Sequence, residues 1–275
     1  MNIKSLVTTS VIAIAAASAA QAADVVIPHE TAPAVIAAAP SFSWTGFYIG
    51  GQVGNFSSKV DVYDSATNNK ISDKDWMPKP SGFMGGIYVG SNVDLGNGLI
   101  LGVETDAVWA DREESKDRAA ETVGAGYDET FDKLKPKYAS GKNKTSITAT
   151  SKKMNSVSLK AKWSGATRVR VGFAAVDRIM PYVAGGIAYA QVQKVDSIKV
   201  KDENNADIGT ATVSDASKTM VGFTVGGGID FAMTDNVLLR AEYRYSDYGK
   251  KAFVKNGDKV AYKTNDFRVG VAYKF

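Results

Sequence analysis

Seven lysines, Lys133, Lys135, Lys137, Lys142, Lys144, Lys152 and Lys153, follow one another with no acid among them. Ahead of them stand Asp111, Glu113, Glu114, Asp117, Glu121, Asp128, Glu129 and Asp132, so charge is sorted along the segment 111–155. A lysine run attracts anions: lipopolysaccharide phosphates, acidic polysaccharides or the propionates of a porphyrin. The competing reading is a solvated loop neutralised by its own acidic half. Nucleophilic catalysis is harder to place. There is no cysteine, and the one histidine, His29, lies near the N-terminus. A Ser-His-Asp or Cys-His site on the later segments is therefore excluded, leaving a carboxylate-only site as the remaining enzymatic option. His29 itself reads as a solvated residue of an extended arm. A formal charge of +4 is too mild to imply nucleic acid as a partner.

What would hold the lysine run in place is set by residue spacing. Residues 1–22 carry one charge, Lys4, then an apolar stretch and Ala20-Gln21-Ala22, which reads as a signal peptide cut after Ala22. Residues 23–43 are rich in Ala, Val and Pro and read as a periplasmic tether. From Trp44 the period becomes two. In the closing stretch Phe267, Val269, Val271, Tyr273 and Phe275 share one face, and Asp266, Arg268, Gly270, Ala272 and Lys274 the other. Similar strands are predicted near 44–53, 81–94, 99–109, 157–175, 180–195, 221–231 and 237–245. Tight turns at 95–98, 176–178 and 234–236 alternate with polar segments at 61–80, 111–155, 196–218 and 248–265.

The pattern predicts an all-β fold: an eight-stranded antiparallel transmembrane β-barrel over 44–275, with short periplasmic turns and four long extracellular loops. A soluble barrel of the lipocalin kind would show the same periodicity with its faces exchanged. Glycines and alanines on the charged face, aromatic residues at strand ends and the terminal Phe275 favour the membrane. A lumen of eight strands is filled by side chains. Glu104, Asp106, Arg168, Arg170, Arg240, Glu242, Arg244, Asp266 and Arg268 are then expected to pair inside it as a plug, leaving no wide pore.

Four blocks carry a resemblance. They are Trp44-Thr45-Gly46-Phe47-Tyr48-Ile49-Gly50-Gly51, Pro181-Tyr182-Val183-Ala184-Gly185-Gly186-Ile187-Ala188-Tyr189, Leu239-Arg240-Ala241-Glu242-Tyr243-Arg244-Tyr245-Ser246-Asp247-Tyr248-Gly249 and Phe267-Arg268-Val269-Gly270-Val271-Ala272-Tyr273-Lys274-Phe275. Together they resemble the opacity-type outer-membrane proteins of alphaproteobacteria, and within them the hemin-binding surface proteins. The resemblance implies an integral outer-membrane surface protein that binds hemin, with adhesion to host surface or matrix components as a second role. It also implies that Phe275 is read by the barrel-assembly machinery. Outer-membrane lipid and lipopolysaccharide are the surrounding partners, and no cofactor is expected to be tightly bound. Other readings are an adhesin or structural barrel without a small ligand, or a narrow porin-like channel. With no outer histidine, tyrosinate or methionine would have to ligate hemin iron. Tyr138, beside Lys135, Lys137 and Lys142, offers a phenol among cations for the propionates; Tyr127, Tyr63 and Tyr262 are rivals.

Overall fold

The computed structural model describes residues 42–71, 77–118, 120–122, 150–174, 176–201, 204–205, 207–253 and 259–275. The segments expected to be a signal peptide, 1–22, and a tether, 23–43, lie outside them up to residue 41. Residues Trp44–Phe275 form a compact unit. Its strands are β1 (Gly46–Tyr63), β2 (Gly82–Asp94), β3 (Leu99–Asp117), β4 (Glu121–Thr122), β5 (Lys152–Phe173), β6 (Ile179–Lys201), β7 (Asp207–Ala232), β8 (Val237–Ala252) and β9 (Lys259–Lys274). The two-residue β4 only extends the outer end of the sheet beside β5. The eight long strands close into a ring, because β1 pairs with both β2 and β9, and β3 pairs with β5.

Ring closure follows from register. A path along paired residues runs from Tyr48 through Gly90, Glu104, Arg168, Gly186, Thr224, Ser246 and Thr264, and reaches β1 again at Ser58. It returns ten residues beyond its start. Eight strands with that stagger tilt by roughly 40° and leave a lumen that side chains fill.

The alternation sorts as expected for a barrel in oil. Ile49, Val53, Phe83, Ile87, Val169, Val183, Val225, Val269 and Val271 are exposed on the outer surface. Tyr48, Gln52, Glu104, Arg168, Arg240 and Asp266, from the alternate positions, are buried within. Aromatic residues form two outer belts, one at Phe83, Trp109, Phe223, Tyr243 and Phe267 and the other at Phe173, Phe231, Tyr273 and Phe275. In the upper belt Trp163 donates its indole N–H to Gln191 at 2.7 Å and Tyr243 donates to Asn265 at 2.9 Å, so polar tips are satisfied where one end of each ring is wet.

The short ends are tight turns. At Asn97 and Gly98 φ is 53° and 78°, and Leu95 N donates to Leu99 O at 2.8 Å. At the β7–β8 turn Thr234 Oγ1 accepts from the Val237 amide at 3.0 Å. By the rule for such barrels these ends face the periplasm. Chain closure lies there too, where Phe275 N donates to Phe47 O at 2.8 Å.

At the opposite ends the strands run well past the periodic stretches. Much of the segment 196–218 is paired strand, with Ser197 opposite Thr212 and Lys199 opposite Thr210. Likewise β3 continues to Asp117, β5 starts at Lys152, β8 reaches Ala252 and β9 starts at Lys259. The outer excursions between β6 and β7 and between β8 and β9 are thus mainly hairpins with short tips. Register shifts at Trp109/Arg112, Ala161/Trp163 and Asp247/Lys250 fall just beyond the upper aromatic belt. Each inserts a residue, bends its strand and breaks the alternation.

Candidate functional site

The lumen is layered. Toward the periplasm Trp44, Ile100, Met180 and Leu238 are buried. Toward the outside, Val60, Val62, Met77, Leu159, Val192, Met220, Phe253 and the stacked pair Tyr248–Tyr262, with centroids 5.5 Å apart, make an apolar core. Between them sits a charged layer of five arginines and five acids. The acids are Glu104, Asp106, Asp230, Glu242 and Asp266, and the arginines Arg168, Arg170, Arg240, Arg244 and Arg268.

Every member is paired. Glu104, 1 % exposed, accepts from Arg168 at 2.6 Å, from Arg170 at 3.3 Å and from Arg240, and also from the Tyr48 hydroxyl at 2.8 Å. Asp230 holds Arg170 at 2.5 Å and Arg240 at 2.8 Å. Glu242 holds Arg168 and Arg244, each at 2.8 Å. Asp106 takes Arg244 at 2.8 Å and Arg268 at 3.1 Å, and Asp266 takes Arg268 at 2.7 Å. Tyrosines complete the layer: Arg170 stacks 3.9 Å from the Tyr182 ring and Arg240 4.4 Å from Tyr88. These contacts spread the guanidinium charge over ring faces. The nine charges expected to pair inside do so. Asp230 lay on the inward side of its strand by alternation, and nothing in the sequence marked it as the partner of Arg170 and Arg240.

Close approach makes room for the rings. An inward Cβ on Gly90 would meet the Tyr48 hydroxyl inside van der Waals contact, whereas a Cβ on Gly51, facing outward, would meet nothing within 4 Å. Gly90→Val is expected to destabilise the barrel by about 1–3 kcal/mol through overpacking. Gly51→Val should leave the urea midpoint of the refolded protein unchanged.

A cavity of about 20 Å³ beside Phe56, Met84, Tyr262, Thr264 and Asp266 has room for about one water. With apolar layers above and below the charges, the lumen holds no site for a bulky ligand among the described residues. Further charged pairs lie on the outer hairpins. There Lys199 pairs with Asp117 at 2.8 Å, Lys160 with Asp111 at 2.9 Å and Lys194 with Asp196 at 2.7 Å, while Gln193 donates to Asp215 at 2.6 Å. Hydrogen bonds from Lys199 and then Ser156 hold the Asp117 carboxyl below the usual carboxylate range. Lys152 donates to Asn205 at 2.9 Å.

Lys135, Lys137, Tyr138 and Lys142 lie outside the described residues, as do Tyr127 and His29. Of the rival tyrosines, Tyr262 is buried against Tyr248, so its hydroxyl is closed to a large ligand. Tyr63 carries the Lys250 ammonium 3.4 Å from its ring centroid.

A family model described as an outer membrane protein beta-barrel domain matches residues 9–275 of the chain. The chain is 32% identical over 279 residues to a 31 kDa outer-membrane immunogenic protein of Brucella melitensis, covering 99% of this chain and 100% of that one. It is 30% identical over 276 residues to a 25 kDa outer-membrane immunogenic protein of the same organism, covering 100% and 99%. A 22 kDa outer membrane protein of Rhizobium leguminosarum is 30% identical over 242 residues, covering 86% and 80%.

Proposed function

Because this chain belongs to the outer membrane protein beta-barrel domain family, we propose that it is a non-enzymatic surface protein whose closed barrel carries recognition on its outer segments, and that the ligand recognised is hemin. The observation that carries the first part is the charged layer sealed between two apolar ones. A filled lumen leaves transport through the barrel without a path, so function moves to the hairpins and the segment 118–151. Proteins named as outer-membrane immunogenic are its relatives, which agrees with outward exposure.

The choice of hemin rests on the resemblance of the strand blocks and on the lysine run around Tyr138. Lysines 135, 137 and 142 would meet the propionates, and the Tyr138 phenolate the ferric iron. Hemin titration of the refolded mature protein should then show a Soret shift. The combined variant Lys135→Ala, Lys137→Ala, Tyr138→Phe and Lys142→Ala should bind more than tenfold weaker, since each charge-assisted hydrogen bond contributes about 1.5–3 kcal/mol. An unaltered Soret shift and affinity in that variant would sink the assignment.

Adhesion is the second reading. It is favoured by the raised outer ends of β5, β6 and β7, whose ladder continues to Lys152 opposite Lys201 and Lys201 opposite Asp207. A rigid polar sheet held above the membrane suits a macromolecular partner.

A further inference from the structure

Just beyond the upper aromatic belt, the outward faces of β7, β8, β9 and β1 enclose a groove of about 310 Å³. Phe223, Tyr63, Asp247, Gly249, Lys250 and Lys263 line it. Its hollow comes from the register shift between Asp247 and Lys250, where Gly249 turns at φ 70° and contributes no side chain. Phe223 lines its lower end, its ring centroid 6.4 Å from that of Tyr245.

Charge in the groove and at its rim is lopsided. Lys263 pairs with Asp247 at 2.8 Å. Lys59 lies directly opposite Lys263 across the β1–β9 ladder and is exposed. Lys250 rests on the Tyr63 ring. Asp61, two residues along β1 from Lys59, is taken by Lys70 at 2.6 Å, and among the described residues neither Lys59 nor Lys250 makes an ion pair, so four lysines stand against two aspartates. Like charges placed directly opposite on a sheet repel. An arrangement that keeps them together beside an open hollow is one that an anion would stabilise.

Height identifies the anion. Lys263 lies four residues beyond Phe267 along β9, which at ~3.3 Å per residue and ~40° of tilt is roughly 10 Å above the belt. Headgroups occupy the layer some 5–8 Å thick outside the hydrocarbon. A long lysine stem reaches that layer from slightly above while its methylenes lie on apolar surface. We propose that this groove binds the phosphorylated headgroup of an outer-leaflet glycolipid, with Lys59 and Lys250, the latter held on the Tyr63 ring, contacting its phosphate and Phe223 contacting the apolar flank. The site is separate from the segment proposed to take hemin.

The test uses the full mature chain refolded in detergent, titrated with a bisphosphorylated lipid A and with the same lipid enzymatically dephosphorylated, with bound lipid read by native mass spectrometry. The wild type should prefer the phosphorylated lipid. Lys59→Gln combined with Lys250→Gln should lose about thirtyfold in affinity, the change that follows if each lysine contributes about 1 kcal/mol as basic residues near anionic membranes do. Lys116→Gln, on the outer part of β3, should bind like wild type. Millimolar inorganic phosphate should not displace the lipid. Heat-shifted gel migration confirms that each variant is folded. Equal binding of the two lipids by wild type would overturn the proposal. So would unchanged binding by the double variant, or displacement by inorganic phosphate, which would make a free anion the occupant.

Discussion

Glu104→Met is expected to lower the unfolding free energy of the refolded barrel by about 3–5 kcal/mol, the range for removing one partner of a buried ion pair. The reason lies in what it leaves behind. Arg168, Arg170 and Arg240 all donate to Glu104, and the layer would hold five arginines against four acids. The informative companion is Glu104→Met with Arg240→Met. In that double variant Arg168 keeps Glu242, Arg170 keeps Asp230, Arg244 keeps Asp106 and Glu242, and Arg268 keeps Asp106 and Asp266. Charge is balanced again and every arginine retains an acid. Apolar replacement of a complete buried pair is often neutral or stabilising, so the double variant should recover most of the loss. Urea titration in detergent micelles, followed by tryptophan fluorescence, measures both. If the second substitution added its own destabilisation to the first, charge balance would not be what stabilises the layer.

The second large effect separates oil from water on the outer surface. Val271 is 53 % exposed and sits between the two aromatic belts; Val213 is 59 % exposed and sits on the outer hairpin of β7. To a solvent probe the two are alike. In a bilayer Val271→Arg should destabilise the barrel by about 2–4 kcal/mol, because a guanidinium at the midplane must be dragged out of water. Val213→Arg should change it by less than about 0.5 kcal/mol, as surface substitutions usually do. Unfolding titrations in phospholipid vesicles give the comparison. Equal, small effects at both positions would mean that the valine-rich face meets water and that the assignment of inside and outside is reversed.

Strict alternation made most of the barrel legible from residue types alone. With the lumen filled by side chains, inward positions must be small, charged or aromatic, and outward positions between the belts must be apolar; β9 shows this from Asp266 to Phe275. The identity of the ten charges inside is largely a matter of parity along each strand. Parity says nothing about partners. Arg240 on β8 meets Glu104 on β3 across the lumen, a contact set by the ten-residue stagger of the ring, and stagger is a property of all eight pairings together. The outer hairpins are illegible in the sequence for a different reason. Above the headgroups both faces of a strand can be polar, so Ser197, Lys199, Thr210 and Thr212 continue the hydrogen-bond ladder with no alternation to betray it. The register shifts at Asp111, Lys162 and Gly249 compound this by breaking parity where the strands leave the membrane.

What the chain's residue order determined by itself, then, is the period, the strand count and the chemistry of each face, because these depend on one strand at a time. Which arginine answers which acid, where the ladder ends, and that Lys250 and Lys263 share one groove with Lys59 beside it were decided only by tertiary structure. They depend on the relative register of strands far apart in sequence, and closure of the ring alone fixes that register.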